Sequence, residues 1–349
     1  MNLITYEPEN LRFSALIGVG GIGSGSFFAL SGNHTLGREE SRGGRFLDRK
    51  DYCKLHIIAH YVRTLLGSDF TTIPVGKVGD DEPGHRLYAE MSEAGLDMRY
   101  VETCPGEQTL FSFCFIYPDG SGGNMTTDDS ACSKVDVAFV GQAEPEFARF
   151  EGKGVAVAAP EVPLEARRKL LEMATDHGFF RVASFNSEEL PEAIESGMLK
   201  MVDLLAINLD EARSAVKADT TGLSREQVVE EAVKALSGSN PDVLVSITAG
   251  AHGSWAWDGK SINYLPVFKA EVATTAGAGD AHLSGMIVGL AAGMPIGEAQ
   301  ALGALVGALS VTSPHTLSKD IDRSSLREFA RQSGAALPGS IWKLLEDQQ

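Results

Sequence analysis

From Gly154 onward the chain alternates short apolar runs with longer stretches whose apolar residues recur every three or four positions. Val155 to Ala159, Phe180 to Phe185 and Leu204 to Ile207 read as strands. Leu164 to His177, Leu190 to Leu199 and Glu211 to Ala218 read as the helices between them. Strands and helices in strict turn mean parallel strands joined by crossovers, because a tight hairpin can only join antiparallel neighbours. The pattern starts earlier. Ser14 to Val19 is a buried strand, and Asp48 or Asp51 begins a helix to about Leu66 with Leu55, Ile58, Ala59, Val62 and Leu66 on one face. Thr71 to Val78 is a strand, Pro83 to Ala94 a helix with Pro at its favoured first position, and a further strand lies near Met98 to Glu102. Ser224 and Gln227 form a capping box for a helix to Leu236, and Val243 to Ile247 is a β-branched strand. A hairpin follows from Trp255 to Tyr264 around Asp258-Gly259, then a small-residue helix from Ile296 to Val311, and Ser324 to Arg331 closes the domain.

Two stretches break this alternation. Phe27 to Arg45 is polar and rich in glycine, and Thr109 to Tyr117 has aromatics at alternate positions before the turn Pro118-Asp119-Gly120. Paired, they would form a small antiparallel sheet apart from the main one. The expected architecture is therefore α/β: three layers around a mostly parallel central sheet, with a small β lid from about 27–48 and 110–127. Residues 1–335 form one domain and 336–349 a C-terminal tail.

A chain of 349 residues can bury a full core of this kind. Its net charge of −17 excludes nucleic acid and anionic membrane as partners, both of which need a basic face. It would also repel ATP, so a nucleotide site here needs Mg²⁺ and local cations. No apolar run is long enough to span a membrane, and Met1 to Phe13 lacks the apolar core of a secretory signal. Cys53, Cys104, Cys114 and Cys132 show neither a metal-binding pair nor a disulfide framework, which suits reduced thiols in a cytoplasm.

The chemistry concentrates in Thr274-Thr275-Ala276-Gly277-Ala278-Gly279-Asp280, followed by an apolar run to Gly293. The glycines allow a tight turn, and the spacing predicts a helix from about Ala278. The loop thus opens onto a helix N-terminus, whose unpaired N–H groups and dipole favour an anion. Asp280 inside such a site repels that anion unless its task is to take a proton. Together these features suggest phosphoryl transfer to a hydroxyl. Gly18 to Gly23 matches the dinucleotide fingerprint, but Ser24-Gly25-Ser26 and Gly32 make a poor following helix. His56 and His60 are four residues apart without a third ligand, which favours an ordinary histidine pair over a metal site.

Further motifs stand in order along the chain: Gly43-Gly44, Asn208-Leu209-Asp210-Glu211, Thr248 to Gly253 and Gly277 to Asp280. Together they resemble the PfkB, or ribokinase-like, family of small-molecule kinases from about Ala15 to Ala330. The resemblance implies a kinase dependent on ATP and Mg²⁺ that acts on an alcohol of a sugar or nucleoside-like molecule. It implies Asp280 as general base and the N–H groups of Gly277, Ala278 and Gly279 as an anion hole. Asn208 and Glu211 would organise Mg²⁺ through water. Thr248, Gly250 and Gly253 would line ATP, with Ala304 and Gly307 leaving room for adenine. Gly43, Gly44, Arg45, Asp48 and Glu161 would lie on the substrate side.

The sequence departs from the family pattern mainly at that end. A carboxylate expected after the first strand falls near Gly23, Phe46 and Asp48 replace a Gly and an Asn of the early motif, and Thr274 replaces the leading Asp of the late one. Two rivals follow: a catalytically silent ligand-binding protein of the same fold, and an NAD(P)-dependent oxidoreductase using Gly18 to Gly23. Exposed lid edges could also pair two copies into a homodimer.

Overall fold

The computed structural model describes residues 11–346 apart from Gly120 and Lys217. In chain order come β1 (Ala15–Val19), β2 (Gly23–Leu30), β3 (Gly44–Tyr52), α1 (Lys54–Leu66), β4 (Thr71–Gly79), α2 (Glu82–Glu93), β5 (Tyr100–Cys104), β6 (Leu110–Ile116) and β7 (Gly122–Thr126). Then follow α3 (Val137–Gly141), α4 (Glu144–Arg149), β8 (Gly154–Ala158), α5 (Leu164–Asp176), β9 (Phe180–Ala183), α6 (Glu189–Glu195), β10 (Leu204–Asn208), α7 (Leu209–Ser214), α8 (Arg225–Ser239) and β11 (Leu244–Thr248). The hairpin β12 (Ser254–Trp257) and β13 (Ile262–Leu265) leads to α9 (Ala278–Ala291), α10 (Ile296–Ser310), α11 (Arg323–Gln332) and α12 (Gly339–Leu345).

The main sheet runs β13-β12-β11-β10-β9-β8-β1-β4-β5, parallel except for the terminal hairpin. Each central strand is buried on both faces, which is why β1 and β8 are apolar throughout. Their side chains divide by parity. Leu16, Val155 and Val157 face a layer holding α1, α2 and α9 to α12, while Ile17, Val19, Ala156 and Ala158 face α3 to α8. This is the expected three-layer α/β architecture. The chain proceeds outward from β1 in one direction and from β8 in the other, so the strand order reverses between them. A crevice opens at that switch point, beyond the carboxyl ends of the strands.

The lid is a separate sheet of order β3-β2-β6-β7. It differs from the expected antiparallel pair in that β2 and β6 run parallel, from Gly23 opposite Leu110 to Ala29 opposite Ile116. The turn at Pro118-Asp119-Gly120 joins β6 to β7, with Gly120 itself outside the described residues.

Several boundaries need correction. The helix expected from Asp48 or Asp51 begins at Lys54, capped by Cys53 without a side-chain bond. Asp48 and Asp51 belong to β3, where Asp51 pairs opposite Gly25. Pairing with the lid overrides what reads locally as a helix start. The helix expected to reach Leu199 stops at Glu195 because Gly197 turns left-handed at φ 76°. After α11 the chain adds α12, burying Ile341, Leu344 and Leu345.

Helix α9 is apolar all round and packs against α10 at backbone contact. A Cβ on Gly285 would lie 2.7 Å from the Cα of Gly303. This close crossing fixes where the Gly277 to Asp280 turn points.

Candidate active site

The turn before α9 is held by a backbone that only glycine tolerates. Gly277 has φ 78°, and a Cβ there would meet the Thr316 carbonyl oxygen at 2.4 Å. The Ala278 N–H already donates to the Thr275 carbonyl at 3.3 Å. Among the described residues the N–H groups of Gly277, Gly279 and Asp280 have no protein acceptor. They remain open at the N-terminus of a 14-residue helix, as an anion site requires. The expected set of donors is thus altered: Ala278 is engaged, and Asp280 adds its own N–H.

Asn208 ends β10 level with Thr248 at the end of β11. Asn208 Oδ1 accepts from the N–H groups of Asp210 and Glu211, both at 2.9 Å, and Glu211 Oε2 accepts from the Asn208 N–H at 2.8 Å. This reciprocal capping box leaves the second carboxylate oxygen of Glu211 uncommitted. Gly250 (φ 52°) and Gly253 (φ 87°) shape the turn after β11. Gly279 comes close to the same turn, because a Cβ on it would lie 3.9 Å from Thr248 Oγ1. Asn208, Glu211, Thr248, Gly250, Gly253, Ala278, Gly279, Asp280, Ala304 and Gly307 all line one cavity of about 930 Å³. Its far walls are α10 and the segment Leu265 to Ala270, and that volume suits a nucleotide. Small residues on α10 (Ala304, Gly307, Ala308) leave its slot open.

A second cavity of about 660 Å³ lies under the lid. It includes Asp51, Lys54, Ser112, Asn124, Glu161, Gly277 and Asp280. Glu161 is, among the described residues, the one non-glycine with positive φ, at 77°. Such a conformation costs on the order of 1–3 kcal/mol and persists where the surroundings enforce it. Here the side chain lies on Gly21, where a Cβ would come 2.2 Å from Glu161 Oε2. That contact accounts for a glycine in the Gly18 to Gly23 run. The run continues into strand β2, not a helix, so the dinucleotide reading has no helix N-terminus to use.

Gly43, Gly44, Arg45 and Asp48 are exposed on the lid and line neither cavity. The residues of β3 that reach the second cavity are Leu47, Arg49, Asp51 and Tyr52. Asp51 returns a carboxylate to the pocket whose expected one is missing near Gly23. It is buried against Ser112, Cys114 and Thr316, and burial raises its pKa despite those hydrogen-bonding groups.

The carboxylates of the site share that direction. Burial raises the Asp280 pKa, with Lys54 pulling it down and Asp51 adding to the rise. Burial lifts Glu161 to about 7 against the pull of Lys54. Glu211 is also raised by burial, with Lys54 and the Asn208 N–H opposing. By contrast His56 and His60 on α1 are held neutral, chiefly by burial. Among the described residues no cluster of three or more His, Cys, Asp or Glu could hold a metal. All four cysteines are free and buried, and no described helix is long and apolar enough to cross a membrane.

Residues 63–322, most of the chain, match the pfkB family carbohydrate kinase pattern. The chain belongs to the pfkB family. It is therefore a small-molecule kinase by class. The chain is 27% identical over 120 residues to an uncharacterized sugar kinase, YegV, of Escherichia coli K12, spanning 33% of this chain and about a third (34%) of that protein. It is 24% identical over 239 residues to the fructoselysine 6-kinase of Shigella flexneri, spanning 67% of this chain and 80% of that protein. Among solved structures, a putative Ribokinase II from E. coli in complex with ATP and Mg²⁺ superposes with a TM-score of 0.72 at 17% identity, covering 92% of this chain and all of that one (100%). That likeness establishes the ribokinase-like fold.

Within this pfkB site, sequence reasoning missed Lys54, Asp51 as a pocket group, Arg49 and Asn124. The usable signal for Lys54 was its place beside an apolar helix face in a chain with a large acidic excess. For Asp51 it was alternation with Leu47 and Arg49, a strand period concealed by two acids that read as helix caps.

Proposed function

We propose that the protein transfers the γ-phosphoryl group of ATP, with Mg²⁺, to a hydroxyl of a sugar or nucleoside-like small molecule. The observation that carries this reading is the position of Asp280. It borders both cavities, at a helix N-terminus where the N–H groups of Gly277, Gly279 and Asp280 have no acceptor among the described residues. A carboxylate there meets an acceptor hydroxyl on one side and a phosphate on the other.

Asp280 takes the acceptor proton, a role usually worth about 10²–10⁴ in rate. Its raised pKa makes it a stronger base than an exposed aspartate. The N–H groups of Gly277 and Gly279 hold charge on the transferring group, where most of the catalysis of phosphoryl transfer lies. Bound Mg²⁺ would neutralise phosphate charge. Glu211, with one uncommitted oxygen, and Asn208 fit a hydrated ion carried in with the nucleotide, not a dedicated protein cage. Asp51, Asn124 and Glu161 present acceptors to several hydroxyls, which suits a polyhydroxylated substrate. Phe46, Phe111 and Met125 expose apolar surface on the lid, and we assign that surface to a homodimer contact.

An ADP-release assay over sugars, sugar phosphates and nucleosides tests the function. Stimulation by at least one alcohol supports it. ATP binding with no stimulation by any of them favours the catalytically silent alternative.

A further inference from the structure

Arg49 has no partner in a chain that has acids in excess. Lysine and arginine number 30 against 47 aspartates and glutamates, and half-buried or buried arginines elsewhere use them. Arg86 lies 3.3 Å from Glu90, Arg167 2.9 Å from Glu189 and Arg181 2.6 Å from Asp203. Arg49 is half-buried in β3, yet among the described residues its guanidinium makes no ion pair, hydrogen bond or ring contact. Partly desolvating a guanidinium with no acceptor is unfavourable, so stability gives no reason for its place.

The backbone aims it into the cavity under the lid. Opposite Gly25 to Phe27 of β2, strand β3 runs from Asp51 back to Leu47, so it takes four residue steps against two. The extra residues make a bulge over Asp48 to Lys50 with Arg49 at its centre, and bulges beside ligand sites re-aim a side chain. Arg49 lines the cavity of about 660 Å³, whereas Asp48 and Lys50 do not, and Lys50 instead lies 3.8 Å from Glu90. The lid wall around Arg49 is apolar at Phe27, Leu47, Phe115 and Ile116. The carboxylate on that wall, Asp51, is buried against Ser112 and Cys114 and makes no ion pair with Arg49. Two strand residues span at most about 7 Å, so the step from half-buried Arg49 to buried Asp51 leads inward by about the width of a sugar ring. Glu161 and Asp280 line the same cavity.

Building on the kinase reading above, we propose that the acceptor is a sugar carrying an anionic group, carboxylate or phosphate, remote from the hydroxyl that is phosphorylated, and that Arg49 binds this group. A planar guanidinium offers paired N–H donors that match either anion. Charge sets the orientation. An anion placed among Asp51, Glu161 and Asp280 meets three carboxylates, so the acceptor's own charge is held at Arg49 while its hydroxyls reach Asp51, Asn124 and Glu161 and one of them meets Asp280. At a net charge of −17 the protein repels such an acceptor at long range, and an unpaired cation inside the cavity is what admits it. Arg49 takes no part in the phosphoryl step. It acts on affinity and on the choice of acceptor.

The test uses three sets of compounds: neutral sugars and nucleosides, sugar acids, and sugar monophosphates. Isothermal titration calorimetry in the presence of ADP and Mg²⁺ reads binding, and ADP release from ATP reads turnover, so the two readings fail separately. Wild-type protein should bind at least one sugar acid or sugar phosphate more than about tenfold tighter than the neutral sugar of the same skeleton, and which set it comes from identifies the anion. Arg49→Met should weaken that binding by about 10- to 100-fold, the range for hydrogen bonds between charged groups, while affinity for the neutral sugar changes by less than about threefold. In turnover the loss should fall on KM more than on kcat. Arg49→Lys, which keeps the charge without the paired donors, should retain part of the preference. Circular dichroism confirms that both variants are folded. A wild-type protein that prefers neutral compounds or binds none of the three sets overturns the proposal, as does an Arg49→Met protein with undiminished affinity for the anionic sugar. Binding of an anionic sugar that is lost in Arg49→Met, with no ADP release from any compound, upholds the anion site and overturns the kinase reading.

Discussion

Replacing Glu161 by Gln should make the ligand-free protein more stable at neutral and alkaline pH. The amide keeps the shape of the side chain that lies on Gly21 and removes its titration. In the folded chain burial lifts the Glu161 pKa from 4.5 to about 7, so the native state holds this proton more tightly than the unfolded chain does. Below about 4.5, the unfolded value, the group is protonated in both states and carries no charge penalty. As pH rises from there to about 7, the unfolded chain releases its proton first and native stability falls. Above that window the loss is constant. Each tenfold change in proton affinity is worth about 1.4 kcal/mol, which sets an upper bound of about 3 kcal/mol. Glu161 borders a water-accessible cavity and faces the Lys54 charge, so about 1–2 kcal/mol is the magnitude to expect after screening. Urea titrations at intervals from pH 5 to 8.5 measure it, read as the difference in midpoint at constant slope. The gap between variant and wild type should open as pH rises and level off above about 7. A variant less stable than wild type at pH 8, or a gap that does not change with pH, would refute the picture of a carboxylate strained by burial.

Two other outcomes follow from the geometry. Gly277→Ala places a methyl group 2.4 Å from the Thr316 carbonyl at a left-handed φ, and should destabilise the protein by about 1–3 kcal/mol and lower kcat by about 10²-fold as the anion site is displaced. Thermal melting and steady-state kinetics check it, and an alanine variant with wild-type values in both would show that the turn is not constrained. Phe46→Asp, at the most exposed of the lid aromatics (66% accessible), should shift the protein toward monomer in light scattering without lowering its melting temperature. An unchanged mass would remove the lid as the contact between copies.

Much of this fold can be read from the chain because local and global preferences agree there. Strands β1 and β8 are apolar at every position because parallel neighbours and two helical layers bury both their faces, and the periodicity of α5 and α8 leaves little choice of element. Gly277 to Asp280 was legible for a different reason: its glycines and its acid are explicable only together. The second cavity was far less so. Asp51 and Lys54 flank a strand-to-helix junction, and in sequence Asp48 and Asp51 carry the marks of helix caps. Only the pairing of β3 with β2 turns Asp51 into the pocket. Gly43-Gly44 illustrates the converse, since its residues match a motif by type yet open β3 on the exposed lid, ten residues before Lys54 starts α1. Helix α12 escaped notice because its three buried residues follow a Gly and Pro-containing stretch with too few turns to show a period.

The central claim is that Asp280 accepts the acceptor's proton at the meeting point of the two cavities. Its most direct test is Asp280→Asn, assayed for ADP release with the best acceptor and, separately, for ATP affinity by calorimetry. The account predicts that kcat falls by about 10²–10⁴ while ATP affinity changes by less than about tenfold, as expected for loss of a general base. Turnover close to wild type in that variant would contradict it.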